Sequence, residues 1–540
     1  MSGCASKDGC PADPGGTPWT PDVSGAASTY HDSNVVITRD VYTATHELAG
    51  LGQGIACTVT NTATCKDTRS RIIDIPFDMT TDLGVNGSVS LTAETVSMDT
   101  DLVGSAYPVL VSVDDGNGHE LIILPITAGT GACATQGFFT CPSGVCAANP
   151  ACAPVAPSAY KDWDHWRQFN IPAYGAASNN VFPTCNWTSG TPTCHFGDAS
   201  GGNFFSGGGK LLTGTYTAHY VLLTTNYSFI QGYNAGIRLT VTRKKDTGAP
   251  ALPPAAVNNG AVDVNVILVG SKNIAAGRTA KGHANLNALL RHVQDLYSSA
   301  SDGLGVRLGT ISSYEWSCAQ GGDDYSTLDF RDVGDLLKAG SKLVASASEG
   351  KAINVFLVSE ITYTTAGTSI LGVSGAIGGP MINGTGSSGV VFKSFDKIDT
   401  FNPDCGSGSG VCDPANQEAK FVDWGATVGH EMGHYLGLNH PQEKDGSQVD
   451  PVPDTPSCST QTISGKPVVT FASCQSAGTC AANCAARDGV SVFCPTESAC
   501  QFNHIMWYTS KGYNEALDTG DGNMFSPQSA TVVNYSPFVW

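Results

Sequence analysis

The chain has 540 residues, with 28 basic and 47 acidic side chains and a formal net charge of −19. This length is too great for one compact core and predicts two or three domains. The acidic balance argues against nucleic acid and anionic membranes as partners, and no apolar run reaches the roughly 18 residues that a membrane-spanning helix needs.

The 19 cysteines indicate a location outside the cytosol, where disulfide bonds are the expected fate of so many thiols. Residues 1–30 are rich in Gly, Pro and Ser and are interpreted as a tether. Within them, Ser-Gly before Cys4 resembles the end of a bacterial lipoprotein signal, which predicts a lipid anchor on Cys4 at the cell surface. The alternative is that Cys4 pairs with Cys10.

Short runs rich in Val, Ile and Thr, separated by turn residues, predict an all-β, sandwich-like domain over residues 31–245. The first runs are "NVVITRDVYTA", "GSVSLTAETVSM" and "YPVLVSVDDGNGHELIILPI", in which "DDGNGHE" is predicted to be a hairpin loop. "TYTAHYVLLTT" and "GIRLTVTRKK" are predicted to complete the sheets. Residues 131–205 contain six cysteines and are predicted to form a disulfide-held insertion.

Residues 246–260 are a linker by composition, and the pattern then changes to a mixed α/β domain over 261–540. Buried strands are predicted at 262–270, 306–311 and 353–361, and a second helix at 328–347. The segment 387–395 is predicted to be an edge strand, Asp423 to cap the helix that carries residues 430–434, and 525–535 to form a final helix. The first helix is predicted from apolar residues at helical spacing: Leu286, Leu289, Leu290, Val293 and Leu296.

The segment "HEMGHYLGLNH" places three of the twelve histidines within residues 430–440. His430 and His434 are four residues apart, so on a helix both imidazoles point to one spot. Glu431 lies about 100° round the helix, where it predicts a general base and not a metal ligand. Gly437 can end the helix in a left-handed conformation and let the chain swing His440 round as a third ligand. Three histidines leave the fourth position of Zn²⁺ open, as in catalytic sites.

The spacing HExxHxxGxxH is the zinc-binding signature of the metzincin metallopeptidases, and this segment is similar to it at every fixed position. The resemblance implies a turn with a methionine below the metal, for which "FNHIMWYTS" offers Met506. The alternative for Met506 is a gap-filling core residue. By the same resemblance, Tyr508 would approach the zinc or stabilise the oxyanion. The D-T-P run at 454–456 and this turn most resemble the pappalysin group. The resemblance to metzincins also implies that the edge strand at 387–395 pairs with an extended substrate.

These observations predict a secreted or surface-anchored zinc endopeptidase that hydrolyses peptide bonds of a protein or peptide substrate through a metal-bound water. The alternative is a surface binding or structural protein whose peptidase domain is latent or incidental. Ca²⁺ is a further candidate ligand at the acidic clusters 323–324 and 518–523, although neither matches an EF-hand loop and solvated turns are the competing interpretation.

Overall fold

The structure is a computed structural model, and the part of the chain that it describes is a series of separate ranges. These are 17–19, 36–47, 73–80, 88–98, 107–115, 120–123, 127–128, 139–140, 146–147, 176–181, 184–186, 193–195, 213–223, 234–245, 260–270, 284–299, 303–316, 321–344, 351–362, 370–393, 414–441, 459–463, 466–470, 505–506 and 525–539. Two compact units are present. The first comprises Met1–Ser33, Pro253–Gly437 and Phe538–Trp540, and the second comprises Asn34–Leu252 and Leu438–Pro537.

The strands, in chain order, are β1 Thr17–Trp19, β2 Val36–Glu47, β3 Ile73–Met79, β4 Ser88–Met98, β5 Tyr107–Asp115, β6 Glu120–Ile123, β7 Thr127–Ala128, β8 Phe139–Thr140, β9 Cys146–Ala147, β10 Ala176–Val181, β11 Thr184–Asn186, β12 Thr193–His195, β13 Gly214–Leu223, β14 Asn234–Lys245, β15 Gly260–Val269, β16 Val306–Trp316, β17 Thr327–Asp329, β18 Ala352–Val358, β19 Glu360–Thr362, β20 Gly372–Ser374, β21 Val390–Lys393, β22 Ser459–Ile463 and β23 Lys466–Thr470. The helices are α1 Ala284–Ser298, α2 Asp323–Ser326, α3 Val333–Gly340, α4 Pro414–Leu436 and α5 Pro527–Tyr535, with 3-10 turns at Phe330–Asp332 and Ser341–Val344.

The N-terminal region is rich in β structure, as predicted. Its strands form two four-stranded antiparallel sheets, in the orders β10-β4-β14-β2 and β3-β13-β5-β6. Strand β3 alternates buried and exposed positions, so one face carries its apolar side chains. Residues of both sheets share one apolar cluster, to which Phe77, Leu91, Tyr216 and Leu239 belong. The predicted hairpin is confirmed, because β5 and β6 pair antiparallel on either side of it.

Two successive basic residues near the end of β14 are buried, and the charged group of each donates hydrogen bonds to oxygen atoms. The Arg243 guanidinium donates to the Asp40 carboxylate over 2.6 Å and to the Tyr42 hydroxyl over 3.3 Å. The Lys244 ammonium donates to two main-chain carbonyls at the end of α5, those of Asn534 at 2.5 Å and Ser536 at 3.2 Å. A cation is favourable at a helix C-terminus, so Lys244 holds α5 to the β-rich region of the second unit.

The sheet of the first unit has the order β1-β16-β15-β18-β21-β20. Its four inner strands are parallel, and β1 and β20 pair antiparallel at its two ends. The strand predicted at 387–395 exists as Val390–Lys393, but the prediction that it is an edge strand is wrong. The short strand Gly372–Ser374 pairs along its outer side and forms the edge instead. Residues 17–19, near the N-terminus, form the opposite edge.

A chain of buried amides crosses this sheet. Asn265 donates to the side-chain oxygen of Asn354 over 2.9 Å, and Asn354 donates to the carbonyl of Ser388 over 3.0 Å. Buried amides need partners of this kind, because an unpaired one loses its hydration without compensation. The bonds therefore fix the loop between β20 and β21 against β18.

The helices agree with the predictions in part. All five apolar residues predicted to line the first helix are buried in α1. The helix predicted at 328–347 begins late, at Val333, because the Asp329 side chain accepts the amide of Arg331 and starts a 3-10 turn there. Helix α4 begins at Pro414, a residue suited to the first turn, so the prediction that Asp423 caps it is wrong. The final helix is confirmed as α5, with Ser526 as its N-cap.

Within the described residues, no helix is long and apolar enough to cross a membrane.

Candidate metal centre

Helix α4 brings the first two predicted ligands onto one face. His430 and His434 lie one turn apart, with ring centroids separated by 4.6 Å and ring planes at 88°. Both are largely buried, with exposed fractions of 9% and 8%. Two buried imidazoles at this spacing are already placed to act as two ligands of one metal ion.

Gly437 turns the chain directly after the helix. Its φ of 120° lies in a region that favours glycine. Its amide donates to the carbonyls of Gly433, at 3.0 Å, and His434, at 2.9 Å, which completes the last helical turn. His440 follows three residues later, and one ligand atom from each of His430, His434 and His440 lies within 4.8 Å of the others.

The donor set of this triad fits zinc. Two imidazole nitrogens on one tetrahedral Zn²⁺ are separated by roughly 3.4 Å, given Zn–N bonds of about 2.0–2.1 Å. The ligand atoms of the three histidines lie within 4.8 Å of one another, slightly farther apart than nitrogens on one zinc ion. Small rotations of the rings would bring them to the zinc spacing. Three neutral nitrogen ligands are characteristic of catalytic zinc sites. Among the described residues, no other group of three candidate ligands lies as close together.

Glu431 lies beside the triad and is 8% exposed. Strand β20 passes directly against it. A Cβ atom at Gly372 would lie 2.7 Å from the Glu431 Cγ and 2.9 Å from its Oε1, closer than real Cβ atoms come to other atoms. The edge of the sheet and the carboxylate of Glu431 are therefore in contact.

The loop after β20 donates hydrogen bonds to main-chain carbonyls at the end of α4. The amides of Gly378 and Gly379 donate to the carbonyls of His434, at 2.9 Å, and Tyr435, at 2.7 Å. The Tyr435 hydroxyl donates back to the carbonyl of Pro380 over 2.9 Å. The last carbonyls of a helix have no partner within it, so these bonds fix the helix end that carries His434.

Helix α1 supports the middle of α4 through two glycines. A Cβ atom at Gly425 would lie 2.6 Å from the Cβ of His292, so the helices approach closely there. The Tyr297 hydroxyl donates to the carbonyl of Gly429 over 2.7 Å. Burial raises the pKa of Tyr297 well above its ordinary value of 10.0, so the donor keeps its proton at neutral pH.

Of the remaining predicted site residues, the structure describes some and not others. Met506 is completely buried, beside the equally buried Ile505. Tyr508, Cys4 and the acidic segment 518–523 lie outside the described residues. Asp323 and Asp324 form the start of the single-turn helix α2.

Three contacts of the site were not predicted from the sequence: Gly372 against Glu431, the glycine loop on the end of α4, and Tyr297 on Gly429. Tyr297 is a sixth position on the apolar face of α1, four residues after Val293, and this spacing could have indicated that it is buried. Nothing local indicates its acceptor, which lies 132 residues away. The glycines of 372–379 carry no pattern that assigns them to α4.

Comparison with known proteins agrees with this geometry. Residues 400–515 match the family described as metallo-peptidase family M12B, reprolysin-like. The matched range includes the three histidines, Glu431 and Met506. No curated protein matches the chain.

Proposed function

We propose that the protein is a zinc-dependent endopeptidase. The observation that carries the proposal is the convergence of His430, His434 and His440, with ligand atoms within 4.8 Å of one another, inside a range that matches a metallopeptidase family. A zinc ion in such a site would polarise a carbonyl and acidify water.

Residues of the chain would carry out the proton transfer and stabilise the oxyanion. Glu431 is adjacent to the triad and buried, and it would take the proton of the attacking water and pass it to the leaving amine. Tyr508 would stabilise the oxyanion and Met506 would lie below the metal, as the resemblance to metzincins implies. Gly437 supports the site through its turn.

Strand β20 is the proposed docking edge for an extended peptide. At the two ends of β20, the carbonyl of Leu371 accepts from the amide of Lys393 in β21, and the amide of Gly375 donates to the carbonyl of Gly389 just before β21, both over 2.9 Å. In an antiparallel ladder, successive residues direct their main-chain N–H and C=O groups alternately toward the neighbouring strand and away from it. Gly372 and Ser374 therefore direct these groups away from β21. An extended substrate that pairs with them would lie beside Glu431, and strand addition of this kind is a common way to bind peptides.

The wider assignments extend the proposal. We infer a β-sandwich over 31–245 and a metzincin domain over 261–540, with the pappalysin group as the most similar branch. The register places Cys185 opposite Cys194 across β11 and β12, which supports disulfide bonds and an extracellular or cell-surface location. Bound calcium and a lipid on Cys4 stay predictions from the sequence, because Cys4 and the acidic segment 518–523 lie outside the described residues.

The test is zinc content together with cleavage of casein, with and without phenanthroline. One equivalent of zinc and chelator-sensitive cleavage are expected. The variant Glu431→Gln should keep the zinc and lose turnover, because the amide cannot accept the water proton. Cleavage by metal-replete Glu431→Gln would refute the role of Glu431. Zinc without cleavage in the unmodified protein would favour the alternative of a binding protein with a latent peptidase domain.

A further inference from the structure

The lack of a side chain at Gly372 leaves room for Glu431. A methyl group there would lie 2.7 Å from the Cγ of Glu431 and 2.9 Å from its Oε1. The Oε1 contact alone could be relieved by rotating the end of the side chain. The Cγ contact could not, because Cγ is only one bond from the Cβ and moves only if the whole side chain adopts another χ1 rotamer.

The backbones on both sides are held, so neither can easily move away. Strand β20 is bonded to β21, with the amide of Lys393 on the carbonyl of Leu371 and the amide of Gly375 on the carbonyl of Gly389, both at 2.9 Å. The loop that follows β20 is bonded to the carbonyls of His434 and Tyr435 on α4. Strand and helix are thus joined through one short segment, so a Cβ atom at position 372 would have to displace the side chain of Glu431.

We propose that Gly372 is a positioning residue of the peptidase, which leaves room for the Glu431 side chain to keep its observed rotamer beside the histidine triad. This inference rests on the proposed function. A larger residue at 372 would turn the carboxylate away while leaving the three histidines in place. Since displacing a reacting group by about 1 Å can cost about 100-fold in rate, the effect would fall on turnover.

The first test is Gly372→Ala in the full chain. We expect zinc content and zinc-dependent thermal stabilisation to match the unmodified protein, KM for a peptide to change little, and kcat to fall about 100-fold. The matched control is Gly429→Ala, one residue before His430. Its added Cβ would lie 3.5 Å from a Tyr297 ring carbon, an ordinary contact, so kcat should be retained.

The second test does not depend on activity. Gly372→Ala should lower the melting temperature of the otherwise unmodified protein but have no such effect in a Glu431→Ala background, where the colliding Cγ and Oε1 atoms are gone. Equal destabilisation in both backgrounds, or full kcat in Gly372→Ala, would overturn the inference. If the zinc-loaded unmodified protein cleaves nothing, the proposed function fails instead. The melting experiment then still decides whether Gly372 makes room for Glu431.

Discussion

The hydroxyl of Tyr297 in α1 donates to the carbonyl of Gly429, immediately before His430, across a distance of 2.7 Å. Gly429 is a helical residue, so its carbonyl also stands in the hydrogen-bond ladder of α4. The tyrosine thus links two packed helices at the level of the candidate metal centre. Because both partners are buried, the bond is shielded from water.

Replacing Tyr297 with Phe should lower the free energy of unfolding by about 1 kcal/mol, because one buried hydrogen bond is lost. Denaturant titration measures this change. Tyr220→Phe is the control, since its buried hydroxyl has no hydrogen-bond partner among the described residues. That variant should be as stable as the unmodified protein or more so. A larger loss at Tyr220 than at Tyr297 would contradict the assignment.

Stability should fall steeply in alkaline solution. Burial raises the pKa of both Tyr220 and Tyr297 above the ordinary value of 10.0. The unfolded chain therefore loses these protons at a lower pH than the folded chain. Their contribution to stability is fully present below 10.0 and is lost as the pH rises above it.

Denaturant unfolding at a series of pH values, together with tyrosinate absorbance, measures this alkaline loss. The double variant Tyr220→Phe with Tyr297→Phe should show a shallower decline. Ionisation of these tyrosines in the folded protein at their ordinary pKa would contradict the expectation.

Gly437→Ala should weaken zinc binding although every histidine is retained. Its φ of 120° is strained for any residue with a Cβ, at a cost of about 1–3 kcal/mol. Relief of that strain would rotate the turn and move His440 away from His430 and His434. Competition with a zinc chelator measures the affinity, and Gly429→Ala inside the helix is the control. Unchanged affinity in Gly437→Ala would show that the turn does not set the position of His440.

Lys244→Met should destabilise the second unit by about 1–3 kcal/mol, because the carbonyls of Asn534 and Ser536 would each lose the hydrogen bond from the ammonium group. Thermal unfolding of the full chain measures the loss. Lys245→Met, one residue further along β14 and exposed, is the matched control. Equal stability of the two variants would mean that Lys244 does not hold α5. The expected loss of stability would show that the β-rich region helps to hold α5 in place through Lys244.

Features with a local cause were predicted well from the sequence. The spacing of His430 and His434 follows from helical geometry alone, and the turn after Leu436 follows from the freedom of Gly437. The runs that became β4 and β14 were visible as stretches rich in Val, Ile and Thr, and the apolar face of α1 as a period of about 3.6 residues. Each of these patterns is complete within a few turns of chain.

The tertiary structure decided what depends on residues distant in sequence. A short apolar run shows that Val390–Lys393 is a strand but not that Gly372–Ser374 covers its outer side, because strand order is a matter of pairing and not of propensity. For the same reason the sequence could not relate Gly372 to Glu431, nor Tyr297 to Gly429. The sequence by itself thus determined which residues could bind a metal. The packing of β20 and α1 against α4 determined how those residues are held, since such contacts exist only once the chain has folded.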